Sequence, residues 1–247
     1  AHQEIVRDYV NLYTPYRGIL LYHGLGSGKT CSSIAIAEGM KDSKKVIVMT
    51  PASLRRNYYE ELKKCGDSLY KKNQYWEFVN ATAENIDTLS SVLNLTVDYI
   101  RKNGGAWLVN IKKQPNYGSL DSAEKLAVDQ QLDEMIQYKY QFIAYNGLRK
   151  QHLVNLTKGE GGGKINPFDN AVVIVDEAHN LVSRIVNKLT KRKEDSTSMA
   201  LYELLMSAQN ARIILLSGTP IINYPNEIGI LFNILRGYIK TWIIKVN

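Results

Sequence analysis

A glycine-rich segment has the clearest chemical potential in this sequence. Residues 23–30 read His-Gly-Leu-Gly-Ser-Gly-Lys-Thr, after a short apolar run and before a stretch with helical character. Glycines let backbone N–H groups approach phosphates, and a helix that begins there adds the positive end of its dipole. A lysine at this place reaches the β- and γ-phosphates, and the hydroxyl after it ligates Mg²⁺. The pattern predicts a phosphate-binding loop that contacts ATP through Gly24, Gly26, Ser27, Gly28, Lys29 and Thr30.

Two carboxylates follow the apolar run Ala171–Val175. The run lacks polar alternation, which indicates a strand buried on both faces, and ligand sites of α/β proteins lie at the carboxyl ends of such strands. We expect Asp176 to hold Mg²⁺ and Glu177 to polarise the attacking water. His179, two residues further on, is positioned to link this site to a third motif.

That third motif is Ser-Gly-Thr-Pro at 217–220, directly after the apolar run Arg212–Leu216. The hydroxyls of Ser217 and Thr219 are expected to hydrogen-bond toward Asp176 and His179 and so to respond to the γ-phosphate. Taken alone, the segment is an ordinary turn.

Strands that alternate with helices must position these motifs. Short continuous apolar strands of this kind predict an α/β fold, with a mostly parallel sheet and helices on both faces. The strands are expected near 18–22, 45–50, 141–145, 171–175 and 212–216, and helices near 29–40, 54–64, 121–138 and 226–235. Ser53 is expected to cap the second helix. Residues 65–140 read as an inserted or elaborated segment, in which 104–119 is interpreted as loop or hairpin.

The motif order resembles the first RecA-like domain of superfamily 2 helicases and translocases. The resemblance is carried by Gly-Ser-Gly-Lys-Thr, then Thr50-Pro51-Ala52, then Asp-Glu-Ala-His, then Ser-Gly-Thr-Pro. His23 replaces the usual glycine, as in ATPases of large DNA viruses such as the poxvirus early transcription factor small subunit and nucleoside triphosphate phosphohydrolase I. The segments 14–23 and 142–147 are similar to the same group.

The resemblance implies an ATP hydrolase that uses ATP and Mg²⁺ and depends on nucleic acid. It implies that Gln3 reads adenine, and that DNA or RNA backbone meets Thr50, Pro51, Arg55 and Arg56. It also implies a RecA-like domain over 1–240, with 241–247 beginning the connection to a second RecA-like domain. Because that second domain supplies an arginine finger, we expect residues 1–247 alone to turn over weakly.

Composition restricts the remaining possibilities. The 247 residues are 45% hydrophobic and carry a net charge of +7, which is compatible with a polyanionic partner but not diagnostic of one. Apolar runs are far shorter than the ~20 residues of a membrane span, so no membrane role is expected. We expect a role in viral transcription or genome handling, with viral RNA polymerase or transcription factor subunits as partners, in the cytoplasm, a viral factory or the virion. A P-loop NTPase without nucleic acid, or a scaffold subunit that docks partners, remains open.

Overall fold

The computed structural model describes residues 2–22, 28–190, 196–239, 241, 243 and 244. They divide into two compact units, one formed by residues 1–55 with 142–247 and the other by residues 56–141.

Seven strands and ten α-helices occur within the described residues. The strands are β1 (Gly18–Tyr22), β2 (Lys45–Thr50), β3 (Trp76–Asn80), β4 (Gly105–Val109), β5 (Tyr140–Ala144), β6 (Ala171–Val175) and β7 (Arg212–Ser217). The helices are α1 (His2–Tyr9), α2 (Lys29–Glu38), α3 (Arg55–Cys65), α4 (Ile86–Leu93), α5 (Val97–Lys102), α6 (Ser122–Lys139), α7 (Lys150–Leu156), α8 (Ala178–Thr190), α9 (Thr197–Ser207) and α10 (Asn226–Arg236).

The first unit is built on a five-stranded sheet in the order β1-β7-β6-β2-β5. The pairs β1–β7, β7–β6 and β6–β2 are all parallel. Parallel neighbours need long crossover connections, and helices provide them here. The predicted α/β fold with a mostly parallel sheet is therefore confirmed.

Both faces of this sheet are covered, which explains why its strands lack polar alternation. Val173, Val175, Ile213 and Leu215 point to one face, where they join a core with α8, α9 and α10. Their neighbours along each strand are equally buried and must point to the other face, because side chains alternate along a strand. Helix α2 packs against β7, and α1 packs against α2.

The second unit contains the antiparallel pair β3–β4 with α4, α5 and α6. Asp121 caps α6 in a reciprocal capping box with Glu124. Gln131 on α6 accepts a hydrogen bond from the backbone N–H of Trp107 at 2.8 Å and donates one to its carbonyl at 2.8 Å. The helix therefore clamps β4 through a side-chain amide.

Three sequence expectations about local structure were wrong. Residues 105–109 are a strand, not a loop or a local hairpin, because β4 finds its partner in the distant β3 and its clamp in α6. Ser53 does not cap α3, since it lies inside a 3₁₀ turn over Ala52–Leu54. No helix was expected over 197–207, where α9 forms, and Ser196 caps it by accepting a hydrogen bond from the N–H of Met199. Within the described residues, no helix is both long and apolar enough to span a bilayer.

Candidate functional site

The three motifs meet at one edge of the sheet because of the strand register. Tyr22 pairs with Ser217, and Val175 pairs with both Met49 and Leu215. The carboxyl ends of β1, β2, β6 and β7 therefore lie at the same edge of the sheet. This is the carboxyl edge of a parallel sheet, where ligands bind in open α/β folds.

The phosphate-binding loop is described at its carboxyl end. Gly28 has φ +79° and ψ +20°, a left-handed conformation that glycine adopts without strain. Its carbonyl accepts hydrogen bonds from the N–H of Ser32 at 2.9 Å and from the Ser32 hydroxyl at 3.1 Å. Lys29 and Thr30 then form the first turn of α2, as predicted for residues that face a phosphate. The predicted contacts Gly24, Gly26 and Ser27 lie outside the described residues, as does the side chain of Gln3 on α1.

Asp176 is held by three neighbouring groups. Its N–H donates to the carbonyl of Met49 at 2.8 Å, Oδ1 accepts from the N–H of Glu177 at 3.0 Å, and Oδ2 accepts from the Thr50 hydroxyl at 3.4 Å. Burial, and then the charge of Glu177, raise the pKa of Asp176 to about 6. Those two hydrogen bonds and the positive charge of Lys29 act in the opposite direction. The carboxylate thus lies within the electrostatic reach of the phosphate-loop lysine.

Glu177 adopts a left-handed backbone conformation with φ +48°. This conformation costs about 1–2 kcal/mol in a residue other than glycine and persists only where surrounding contacts enforce it. The hydroxyl of Tyr145 supplies such a contact, since it donates to the carbonyl of Asp176 at 2.9 Å and to that of Glu177 at 3.0 Å. The sequence analysis did not identify Tyr145, although it lies within the 142–147 segment that carried part of the viral resemblance.

His179 joins the carboxylates to the Ser-Gly-Thr-Pro segment, as the sequence predicted. Its Nδ1 lies 2.9 Å from Oγ of Ser217 and 3.4 Å from Oε2 of Glu177. The Ser217 oxygen also accepts from the N–H of Thr219 at 3.1 Å. A change at Glu177 or at the turn therefore alters the contacts of the same imidazole.

The residues predicted to touch nucleic acid differ in accessibility. Thr50 and Pro51 are buried, and the Thr50 hydroxyl is directed toward Asp176. Arg55 and Arg56 are exposed at the start of α3, and the Arg55 guanidinium lies 5.4 Å from the centre of the Phe142 ring. The two arginines are therefore accessible to solvent, while the Thr50 hydroxyl faces the interior.

Glu227 holds the segment that follows Ser-Gly-Thr-Pro. Its Oε2 accepts from the N–H of Ile222 at 2.6 Å and from that of Asn223 at 3.2 Å, although the residue is only 1% exposed. Burial by itself raises the pKa of this carboxyl. Hydrogen bonds from the N–H groups of Ile222, Asn223 and Tyr224 lower it by more than burial raises it, so the pKa lies below its ordinary value. The sequence offered no signal for this role beyond a glutamate at the start of a helix.

Comparison with known proteins gives one family and several viral relatives. A profile of the SNF2-related domain matches residues 2–241. The Acanthamoeba polyphaga mimivirus protein named "Putative ATP-dependent RNA helicase R563" is 28% identical over 235 residues, which are 94% of this chain and 32% of the relative. Invertebrate iridescent virus 3 has "Putative helicase 087L", 28% identical over 95% of this chain and 20% of the relative. The "Termination factor NPH-I homolog" of African swine fever virus is 28% identical over 90% of this chain and 23% of the relative.

This chain therefore spans a third or less of the length of those curated relatives. Among solved structures, the Sulfolobus solfataricus SWI2/SNF2 ATPase core in complex with dsDNA matches with 17% identity and a TM-score of 0.46. That match covers 95% of this chain and 33% of the solved chain.

Proposed function

The chain belongs to the SNF2-related domain family, and on that premise we propose that it is the ATP-binding half of a viral nucleic-acid-dependent ATPase. The resemblance to superfamily 2 motors and to ATPases of large DNA viruses is confirmed by the family match and by the viral relatives. Hydrolysis of ATP, contact with nucleic acid and a motor activity are proposals for the whole protein.

One observation carries the proposal. The described end of the phosphate-binding loop, Asp176, Glu177 and His179 come together at one edge of one sheet, and the charge of Lys29 acts on Asp176. An incidental glycine turn or an ordinary acidic helix start would not bring a lysine and two carboxylates to the same place.

The side chains at this edge fit MgATP. Thr30 offers a hydroxyl and Asp176 a carboxylate, which are the oxygen ligands that Mg²⁺ prefers. Burial and the charge of Glu177 raise the pKa of Asp176, and a nearby divalent cation would favour its charged form. Bound Mg²⁺ would neutralise charge on the transferred phosphoryl group, while Lys29 would contact the β- and γ-phosphates. Gly24, Gly26, Ser27 and Gly28 would supply the N–H groups of the phosphate cradle, and Gln3 would contact the adenine.

Glu177 is the residue we assign to the attacking water. Its carboxylate would accept a hydrogen bond from that water and orient it toward the γ-phosphate. His179 lies between Glu177 and Ser217. A change in the position of Glu177 would therefore alter the contacts of His179 with Ser217, and through Ser217 those of Thr219. In this assignment, the Glu177 carboxylate takes part in hydrolysis. The His179 imidazole and the hydroxyls of Ser217 and Thr219 couple hydrolysis to the rest of the protein.

The charge distribution supports a nucleic-acid partner for the first unit. Residues 56–141 carry 11 Lys and Arg against 12 Asp and Glu, while the rest of the chain carries 20 against 12. The basic excess therefore lies entirely in the unit that bears the ATP site. DNA or RNA backbone would be met by Arg55 and by Arg56 beside it, with Thr50 and Pro51 beneath them. Such contacts are directed to phosphates and read no sequence.

The proposal extends to the place of action and to the partners. We place the protein in viral transcription or genome handling, in the cytoplasm, a viral factory or the virion, with viral polymerase or transcription factor subunits as partners. Residues 1–240 would act with a second RecA-like domain that begins beyond 241–247. Residues 65–140 would be an elaboration between the Thr-Pro-Ala and Asp-Glu-Ala-His motifs.

The test is ATP hydrolysis by the full-length protein without polymer and with single-stranded DNA, duplex DNA or RNA, beside Glu177→Gln. We expect one polymer to stimulate hydrolysis and the variant to lose turnover. The polymer that stimulates would be the nucleic acid on which the protein acts. Turnover indifferent to every polymer would replace the proposal with a P-loop NTPase of another class. Nucleotide binding without turnover under all conditions would indicate a scaffold subunit.

A further inference from the structure

Tyr145 makes an unusual pair of contacts for a tyrosine hydroxyl. It is 4% exposed, and its single O–H proton is shared between two consecutive carbonyls, those of Asp176 and Glu177. Two adjacent carbonyls can converge on one donor because the backbone of Glu177 is left-handed. The hydroxyl and the strained residue therefore stabilise each other, and the backbone from which the Glu177 carboxylate projects is fixed by Tyr145.

The hydroxyl acts only as a donor toward these carbonyls at any working pH. Burial raises the pKa of Tyr145 well above its ordinary value, and the negative charges of Asp176 and Glu177 raise it further. A phenylalanine at this position would keep the ring in the core and remove the donor that these two carbonyls share, while the carbonyl of Glu177 would keep its hydrogen bond from the N–H of Asn180 at 2.9 Å.

The other side of Tyr145 leads to the surface. It begins a short turn, Tyr145–Gly147, that packs against β2 and against the turn Ala52–Leu54. The carbonyl of Asn146, the next residue, accepts a hydrogen bond from Nη1 of Arg184 on α8 at 3.3 Å. Asn146 is exposed, so this turn joins a surface beside Arg55 to the buried carbonyls of the site.

We propose that Tyr145 is a positioning residue that holds Glu177 for hydrolysis and transmits to it the occupancy, by nucleic acid, of the surface formed by residues 146–150, where Arg149 and Lys150 are exposed. The inference rests on the proposed ATPase function and adds a specific route by which bound nucleic acid alters the rate of ATP hydrolysis. Thr50, at the end of β2, contacts the Asp176 carboxylate itself, whereas Tyr145 contacts the backbone carbonyls of Asp176 and Glu177.

A purely structural role for Tyr145 predicts a different outcome from a positioning role. Loss of packing or of folded protein would lower the amount of active enzyme, the melting temperature and ATP binding together. A positioning role changes the turnover number and its response to nucleic acid, while the Michaelis constant for ATP stays the same, because the hydroxyl donates to the backbone that carries Glu177.

The experiment compares full-length wild type, Tyr145→Phe and the control Tyr202→Phe. Tyr202 lies on α9, where its hydroxyl accepts from Nδ2 of Asn233 at 3.3 Å, so the control removes a tyrosine hydroxyl remote from the site. For Tyr145→Phe, we expect nucleic-acid-stimulated kcat to fall on the order of tenfold and the ratio of stimulated to basal rate to fall with it. The KM for ATP should stay within about twofold of wild type, and Tyr202→Phe should match wild type.

Wild-type kcat and stimulation in Tyr145→Phe would overturn the proposal. So would a loss that follows the melting temperature with KM raised in parallel. If the wild type itself is not stimulated by any polymer, the proposed function fails instead, and hydrogen exchange then decides the positioning role. Faster amide exchange across 176–180 in Tyr145→Phe than in Tyr202→Phe supports the contact to Glu177, whereas equal exchange overturns it.

Discussion

Nδ1 of His179 lies 2.9 Å from Oγ of Ser217, and this contact joins the carboxylate-bearing start of α8 to the end of β7. Ser217 is fully buried, so water cannot replace the imidazole there. The same oxygen accepts from the N–H of Thr219. Replacement of one hydroxyl therefore breaks two contacts that lead away from the ATP site.

Ser217→Ala tests this relationship. We expect nucleic-acid stimulation of ATP hydrolysis to fall on the order of fivefold, because coupling free energies between sites typically begin at about 1 kcal/mol. ATP affinity, measured with a non-hydrolysable analogue, should change less than about twofold. Ser207→Ala, which removes an exposed hydroxyl bonded within α9, is the control and should resemble wild type. Full stimulation in Ser217→Ala would show that the contact between His179 and Ser217 does not couple nucleic-acid binding to ATP hydrolysis.

Glu177→Gln tests the assignment of the water-orienting carboxylate. The amide keeps the size and one acceptor oxygen but cannot take a proton, and general-base contributions are on the order of 10²–10⁴ in rate. We expect kcat to fall at least about 100-fold while nucleotide binding persists. The control Glu84→Gln alters an exposed glutamate of the second unit and should leave the rate unchanged. Retention of more than about a tenth of the wild-type rate would remove Glu177 from this role.

The pKa of Asp176 predicts a pH-dependent stability difference. Its folded-state pKa of about 6 exceeds the ordinary 3.8, so the folded protein binds this proton more tightly than the unfolded chain does. The ionised carboxyl therefore costs stability above pH 6, by at most about 3 kcal/mol. That cost declines as pH falls from 6 toward 4.

Asp176→Asn should accordingly be more stable than wild type at pH 8, in protein free of Mg²⁺ and nucleotide. The gap should close as the pH approaches 4. Chemical denaturation at several pH values measures it, with Asp8→Asn at an exposed site as the control. A gap that stays constant with pH would mean that the substitution acts through packing and not through the charge.

The sequence predicted the sheet of the first unit well, because strands buried on both faces leave continuous apolar runs such as Ala171–Val175. It predicted the meeting of Asp176, His179 and Ser217 for the same reason, since parallel strands deliver their ends to one edge. It could not predict Tyr145 or Glu227. Their roles depend on the carbonyls and N–H groups of distant loops, which have no side-chain signature.

The second unit was harder for a related reason. Strand β4 is short, begins at the second of two glycines and pairs with β3 across two helices, so no local pattern marks it. The contact that fixes it runs from a glutamine in the middle of α6 to the backbone of Trp107. A buried glutamine reads in sequence as a surface residue.

Gln131→Ala tests whether this clamp supports the second unit. The substitution leaves a buried N–H and a buried carbonyl of Trp107 unpaired, and each such loss costs about 1–3 kcal/mol. We expect the free energy of unfolding to fall by about 2–4 kcal/mol, with faster amide exchange across 105–109. Gln151→Ala, on the exposed face of α7, is the control. An unchanged free energy of unfolding would show that water forms the hydrogen bonds to the N–H and carbonyl of Trp107 when the glutamine is absent.

For Glu227, the contribution of the carboxylate charge to stability can be separated from that of packing by varying the pH. Its carboxylate is buried, accepts the N–H groups of Ile222 and Asn223, and has a pKa held below the ordinary 4.5. A lowered folded-state pKa means that the stabilisation is present above the unfolded pKa and is lost as pH falls through the folded value. Glu227→Ala should therefore destabilise the protein by about 2 kcal/mol at pH 7.

The same substitution should cost progressively less below about pH 4.5, because protonation of the wild-type carboxyl removes the charged acceptor. Glu227→Gln retains an acceptor oxygen without the charge and should lie between wild type and alanine at pH 7. Glu84→Ala, at an exposed position of the second unit, is the control. If the alanine variant lost the same stability at every pH, the anchor would be steric, and the segment after Ser217 would be held by packing instead of by the carboxylate.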